Sequence, residues 1–107
     1  MFDPDRFRLD GQVALVTGAG AGIGRDIARL FAGAGASVVV SDLKAETAEA
    51  VAADIVSQGG QAAGIACNVT KEADLESAVA TALDRFGKLS ILVNNAGGGG
   101  PKPFDMP

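Results

Sequence analysis

The sequence has no histidine and no tyrosine, and its only cysteine is Cys67. Without histidine, the chain can form neither a Ser-His-Asp triad nor a zinc site with histidine ligands, and it has no histidine general base. A single cysteine cannot form an internal disulfide, which is typical of proteins in a reducing, intracellular compartment. We therefore predict no metal site and a location in the cytoplasm.

Basic residues and long apolar runs are also scarce. Lys and Arg number 9 against 13 Asp and Glu, a net charge of −4, which argues against a nucleic-acid partner. No segment approaches the roughly 20 apolar residues of a membrane span. The charged N-terminus, residues 1–8, lacks the apolar stretch of a secretory signal. Hydrophobic residues make up 48% of the chain, which is too many for a disordered segment.

Short apolar runs alternate with segments of helical periodicity. The runs at 13–16, 38–40, 62–66 and 91–93 do not alternate with polar residues, which is typical of parallel strands covered on both faces. Between them, the apolar residues recur with the spacing of one helix face. The predicted faces are Ile23, Ile27, Leu30, Phe31 and Ala34; then Ala48, Val51, Ala52 and Ile55; then Leu75, Val79, Leu83 and Phe86.

Glycines and one threonine mark the helix ends. Gly35, residues 59–60 and Gly87 are predicted to stop the three helices. Thr70 is predicted to cap the N-terminus of the third helix. The order β-α-β-α-β-α-β predicts an α/β fold with a Rossmann-like, doubly wound parallel sheet. Since such a fold normally continues beyond its fourth strand, we expect a truncated first half.

A glycine-rich loop joins the first predicted strand to the first predicted helix. Gly18, Gly22 and Gly24 follow the pattern G-x-x-x-G-x-G, and Ile23 stands where the commoner G-x-G-x-x-G needs glycine. Glycines let backbone N–H groups approach a pyrophosphate, and the helix N-terminus adds the positive end of its dipole. Residues 1–107 are therefore predicted to be the N-terminal part of one dinucleotide-binding domain.

Asp42 ends the second predicted strand. A carboxylate there can accept hydrogen bonds from both ribose hydroxyls of an adenosine and repels a 2′-phosphate. The alternative is that Asp42 caps the next helix. No Lys or Arg lies in the loop before Gly24, Leu43 follows Asp42, and the nearest cations are Arg25 and Lys44. The pattern predicts NAD rather than NADP.

The loop at 17–24, Asp42 and the Asn-Asn-Ala-Gly element at 94–97 together resemble the short-chain dehydrogenase/reductase family. The resemblance extends over residues 9–107. It implies that the cofactor contacts come from Gly18, Gly22, Ile23, Gly24, Asp42, Leu43, Asn68, Val69 and Asn95, and that Gly99 contacts the substrate. Asn68 and Val69 would lie at the adenine, and Asn95 at a ribose.

Some of these residues also have structural alternatives. Asn68 can instead form an Asx turn before Thr70, and residues 97–100 can be a plain loop. Asn94 is interpreted as a structural residue that bonds between strands. Cys67 is interpreted as a small buried residue and not a nucleophile.

Residues 35–42 and 94–107 more specifically resemble bacterial family members that oxidise a bile-acid hydroxyl with NAD. This implies a steroid alcohol as the small-molecule substrate and a homotetrameric full-length protein. The family's catalytic Ser, Tyr and Lys lie in its second half, so we assign no catalytic residue and expect this chain alone to be inactive. The alternatives are a 3-oxoacyl reductase or another dehydrogenase of the family, a nucleotide-binding module without chemistry and, more weakly, a methyltransferase.

Overall fold

Strands and helices alternate along residues 8–96, the part of the chain that the computed structural model describes. In chain order they are β1 (Val13–Val16), α1 (Gly22–Gly33), β2 (Ser37–Asp42), α2 (Ala45–Ser57), β3 (Gln61–Ala66), α3 (Glu72–Phe86) and β4 (Ile91–Val93). The strands form one parallel sheet in the order β3-β2-β1-β4. The predicted α/β class and doubly wound topology are confirmed.

Helices cover both faces of this sheet, which explains the unbroken apolar runs. On one face, Val38 and Val40 of β2 are buried with residues of α1 and α2. On the other face, Val39 and Leu15 are buried with alanines of α3. Because successive side chains of a strand point to opposite faces, both sets of positions in β1 and β2 must be apolar.

Helix α1 contacts the sheet through smaller residues than its periodicity predicts. Gly24 and Ala28 are buried, whereas Ile23 is 72% exposed and Leu30 is 49% exposed. Small residues let a helix approach the strands closely, and the larger apolar side chains then lie beside the contact or beyond it. Ile23 and Leu30 of the predicted apolar face are therefore exposed, whereas Ile27 and Phe31 of the same face pack against the core.

Helices α2 and α3 differ from each other in how well the predicted apolar face matches the buried residues. The predicted face of α2 is buried throughout. In α3 the buried residues are Ala78 and Ala82, and Leu83 of the predicted face is exposed. The apolar period located α3 correctly, but the alanines between the larger residues make its closest contact.

The glycine stops are confirmed, and the predicted N-cap is wrong. After α1, the N–H of Gly35 donates to the Ala32 carbonyl (3.0 Å) and that of Ala36 donates to the Phe31 carbonyl (3.1 Å). This pair of bonds, with φ +104° at Gly35, is a Schellman motif. At the start of α3, Lys71 occupies the N-cap position instead of Thr70.

The topology gathers the carboxyl ends of all four strands at one edge of the sheet. Strand β1 pairs with β2 on one side and with β4 on the other, so the winding reverses between β1 and β4. Ligands of open α/β sheets bind in the crevice at such a reversal. None of the helices within residues 8–96 is long and apolar enough to cross a lipid bilayer.

The outer edge of β4 leads to a prediction about self-association. Within residues 8–96 this edge pairs with no strand, and Leu92 beside it is 60% exposed. We expect the 107-residue chain to self-associate or unfold partially in isolation, because an open apolar edge pairs with other chains. Leu92→Lys should reduce this association in sedimentation velocity, because a charged side chain disfavours edge-to-edge pairing.

Leu30→Lys on α1 is the matched control and should leave association unchanged, because Leu30 is exposed on a helix. A monomeric wild-type chain with a sharp, cooperative thermal transition would contradict the prediction.

Candidate functional site

The glycine-rich loop folds back tightly between β1 and α1. Gly18 and Gly22 have φ values of +63° and +60°, a region that side chains with a Cβ rarely adopt. A Cβ on Gly24 would overlap the carbonyl oxygen of Gly18, so the first turn of α1 lies directly against the loop. The predicted glycines thus have identifiable steric roles in shaping the loop.

The N-terminus of α1 is an uncompensated positive end. Its N-cap is Ala21, which provides no side-chain hydrogen bond, and its first turn contains no acidic residue. By contrast, the first turn of α2 contains Glu46, and that of α3 contains Glu72 and Asp74. The unsatisfied N–H groups and the helix dipole of α1 therefore favour an external anion. This donor set fits the pyrophosphate of a dinucleotide.

Asp42 lies at the carboxyl end of β2, beside the glycine-rich loop. One of its carboxylate oxygens, Oδ2, accepts a hydrogen bond from the Thr47 hydroxyl at 3.0 Å. The N-cap of α2 is Lys44, so the alternative role of Asp42 as that N-cap is wrong. The neighbouring Leu43 is 71% exposed. A carboxylate has about four acceptor positions, so Asp42 retains capacity for two ribose hydroxyls.

Asn68 forms an Asx turn, which was the structural alternative to its predicted contact with adenine. Its Oδ1 accepts hydrogen bonds from the Thr70 N–H (3.0 Å) and the Thr70 hydroxyl (2.6 Å). Its backbone N–H donates to Oδ2 of Asp74 at 2.9 Å. Since both lone pairs of the amide oxygen are engaged, an adenine contact from this side chain would use its NH₂ group. The contacts of Asn68 and Val69 with adenine stay predictions.

The hydroxyl of Thr17 connects the loop to β4, a role that the sequence analysis missed. Thr17 is only 1% exposed. Its Oγ1 accepts from the N–H groups of Asn95 and Ala96, both at 3.0 Å. It also lies 3.4 Å from the Val93 carbonyl and 3.3 Å from Oδ1 of Asn94, either of which can accept its proton.

Asn95 completes this connection. Its Nδ2 donates to the Gly18 carbonyl at 3.3 Å, and a Cβ on Gly24 would come within contact of the same nitrogen. Gly18, Gly24 and Asn95 are therefore brought together at the β1–β4 crevice, and the ribose contact of Asn95 stays a prediction. The sequence analysis named these three residues as cofactor contacts, but it did not predict that Thr17 connects them to β4.

The other predicted site residues lie farther along the same edge of the sheet. Asp42 and Leu43 follow β2, and Asn68 and Val69 follow β3. Gly99, the predicted substrate contact, lies outside the described residues. Ile23 is exposed at the start of α1, where a bound ligand can reach it.

Cys67 is buried near this edge. Burial raises the pKa of its thiol, and the negative charge of Asp74 adds to the rise. Since the thiolate is the reactive form, a raised pKa keeps the side chain protonated and unreactive at neutral pH. The geometry agrees with a structural role for Cys67. No cluster of possible metal ligands occurs within residues 8–96.

The fold and the loop define a dinucleotide-binding α/β domain, and comparison with known proteins gives its family. The sequence matches the short chain dehydrogenase family over residues 12–106. The chain therefore belongs to the short-chain dehydrogenase family.

Individual relatives are similar over most or all of the chain. The 7α-hydroxysteroid dehydrogenase of Escherichia coli K12 is 57% identical over 107 residues, which is 100% of this chain and 42% of that protein. The mitochondrial borneol dehydrogenase of Lavandula x intermedia is 49% identical over 96 residues, which is 89% of this chain and 35% of that protein. The chain thus spans less than half the length of these relatives.

A solved structure shows the same fold. It contains 7α-hydroxysteroid dehydrogenase complexed with NADH and 7-oxo glycochenodeoxycholic acid, and it matches this structure with a TM-score of 0.86 and 57% sequence identity. The match covers 100% of this chain and 42% of that chain. The chain therefore corresponds to one part of a short-chain dehydrogenase fold.

The Thr17 hydroxyl generates a stability prediction. Thr17→Val keeps the shape of the side chain but leaves the Asn95 and Ala96 N–H groups without this acceptor. We expect the free energy of unfolding to fall by about 2 kcal/mol, because two partly buried N–H groups that lose their partner carry a desolvation penalty. Urea denaturation measures the change. Thr17→Ser retains the hydroxyl and should recover most of the loss, and a Val variant as stable as wild type would contradict the prediction.

Proposed function

We propose that this chain is the NAD-binding part of an oxidoreductase that transfers a hydride between NAD and a secondary alcohol. The observation that carries the proposal is that a positive helix end and a negative carboxylate lie at the same edge of the sheet. The N-terminus of α1 has no capping side chain and no acidic residue, and Asp42 lies beside the loop that leads into it. An anion at the helix and hydroxyls at the carboxylate are the two features of an adenosine diphosphate.

The expected cofactor, NAD, is confirmed by the comparisons: the structural neighbour of 57% identity is complexed with NADH, and the chain belongs to the same family. When NAD is bound, its nicotinamide ring would be the hydride acceptor. The residues of this chain bind and orient the dinucleotide: the loop N–H groups hold the pyrophosphate, and Asp42 holds the adenosine ribose. Asn95, fixed against Gly18, forms the wall of the crevice at β4.

For the full-length protein we propose the 7α-hydroxyl of bile acids as the substrate. The 57% identity to 7α-hydroxysteroid dehydrogenase over the whole chain supports this proposal. The four consecutive glycines at 97–100 also support it, because residues without side chains leave room for a rigid ring system. A homotetramer in the cytoplasm is part of the same proposal and rests on the family resemblance and the single cysteine.

We further propose that the 107-residue chain alone is inactive. It contains no tyrosine, and the family resemblance assigns the general base of the reaction to a tyrosine. Without a group placed to take the hydroxyl proton, bound NAD and an alcohol do not react at an appreciable rate. In this proposal the chain binds and orients the cofactor, and the chemical step requires residues that it lacks.

Cofactor preference should depend on Asp42. In the full-length protein, Asp42→Ala combined with Leu43→Arg should shift the ratio of kcat/KM for NAD and NADP towards NADP. The change removes the repulsion of a 2′-phosphate and supplies a cation. Leu43 tolerates the arginine because it is exposed. Leu43→Arg alone is the control, and an unchanged ratio in the double variant would remove Asp42 from this role.

Substrate choice is tested by NADH absorbance with a 7α-hydroxy bile acid, its 7β epimer and an unrelated secondary alcohol. We expect the full-length protein to oxidise the 7α epimer to the 7-keto product and to discriminate against the 7β epimer. A 3-oxoacyl thioester with NADH tests the alternative of a fatty-acid reductase, and turnover of the thioester alone would replace the steroid assignment. NADH production by the 107-residue chain would overturn its proposed inactivity.

A further inference from the structure

The hydroxyl of Thr47 lies between two acceptors beside the proposed ribose site. Thr47 is the third residue of α2. Its Oγ1 is 3.0 Å from Oδ2 of Asp42 and 2.9 Å from the carbonyl oxygen of Lys44. A hydroxyl has one proton, so it donates fully to one of these groups at a time.

The carboxylate is the stronger acceptor of the two. A hydrogen bond to an ionised group is roughly twice as strong as a neutral one. The Lys44 carbonyl also has another donor, the N–H of Ala48 at 3.2 Å. The Thr47 hydroxyl therefore donates preferentially to Asp42, and this hydrogen bond fixes the rotation of the carboxylate.

Because Gly20 has no side chain, Asp42 and Thr47 can pack closely against the glycine-rich loop. A Cβ on Gly20 would lie 2.7 Å from Oδ2 of Asp42 and 2.9 Å from Oγ1 of Thr47. Gly20 is not among the glycines with positive φ. The backbone conformation thus accepts any residue, and it is the absence of a Cβ that lets the carboxylate lie against the loop.

Cations are present on the adjoining groove, contrary to the simplest sequence argument for NAD. Gly20 and Thr47 line this groove together with Arg25 and Arg29. Arg29 forms an ion pair with Asp54 at 2.8 Å. The Nε of Arg25 has no hydrogen-bond partner in the described part of the chain, but it forms an ion pair with Oδ1 of Asp26 at 3.8 Å. Both arginines are paired with carboxylates but still place positive charge near the ribose site, so rejection of a 2′-phosphate depends on the position of the Asp42 carboxylate.

We propose that Thr47 is a positioning residue that holds the Asp42 carboxylate against Gly20 and thereby selects a dinucleotide with a free ribose 2′-hydroxyl. The inference rests on the proposed NAD-binding function and extends it to two residues, Thr47 and Gly20, that do not themselves carry the charge. A freely rotating carboxylate hydrogen-bonds the ribose hydroxyls less well and repels a 2′-phosphate less consistently.

The test measures the dissociation constants of NAD and NADP by isothermal titration calorimetry on the full-length protein. Thr47→Val removes the hydroxyl at nearly constant shape and should lower the preference for NAD about tenfold, the factor expected for loss of a hydrogen bond to a charged group. Thr47→Ser retains the hydroxyl and should restore the preference.

Gly20→Ala is a second, independent way to displace the Asp42 carboxylate. Its methyl group must displace Asp42 or Thr47, so it should also lower the preference for NAD. Combined with Thr47→Val it should add little, because both changes act through the position of Asp42. Thr81→Val is the matched control, since within residues 8–96 the Thr81 hydroxyl donates only to the Ser77 carbonyl of the same helix, α3. It should leave the preference unchanged.

The outcomes separate this inference from the proposed function. A wild-type protein that binds neither dinucleotide overturns the proposed function and this inference with it. A wild-type protein that prefers NAD, with Thr47→Val and Gly20→Ala retaining that preference at an unchanged melting temperature, overturns the role of Thr47 alone. Loss of preference in Thr47→Val that Thr47→Ser does not restore also overturns it, because packing and not the hydroxyl would then be responsible.

Discussion

The buried hydroxyl of Thr17 connects the two strands between which the sheet reverses its winding. By accepting from the N–H groups of Asn95 and Ala96, it fixes the chain leaving β4 against the end of β1. Asn95 then bonds the Gly18 carbonyl, and Gly24 lies against that same carbonyl. The direction of the α1 N-terminus, and hence the anion site, follows from this sequence of contacts.

The site separates its two electrostatic features along the sheet edge. The positive feature is the end of α1, which lacks the acidic first-turn residues of the other helices. The negative feature is Asp42, which is held by a hydroxyl from α2. Because Asp42 lies against Gly20 of the loop and α1 begins at Gly22, a ligand must present an anionic centre and neutral hydroxyls in a fixed order. A dinucleotide meets this condition, whereas a simple phosphate meets only half of it.

The sequence analysis succeeded where the determining interactions are local. The strand positions follow from apolar runs, and the end of α1 follows from Gly35, whose positive φ needs no distant partner. It failed where a contact joins distant residues. The partners of Thr17 lie at the end of β4, so only the parallel pairing of β1 with β4 brings them together. The face of α1 was mispredicted at Ile23 and Leu30 only, because apolarity ranks Ile23 above Gly24, whereas close packing favours the smaller residue.

Cofactor recognition and alcohol recognition place different demands on this chain. The Gly18–Asn95 contact, the α1 N-terminus and Asp42 all belong to the proposed dinucleotide site, and each is explained by hydrogen bonding or sterics within residues 8–96. Relatives named for a steroid and for borneol are both about half identical to this same region. Since dehydrogenases named for different alcohols share this region, its proposed cofactor-binding residues cannot by themselves discriminate between those alcohols. Discrimination must come from residues that contact the alcohol, and a substitution that alters the proposed bile-acid preference alone should therefore lie away from the Thr17–Asn95 cluster.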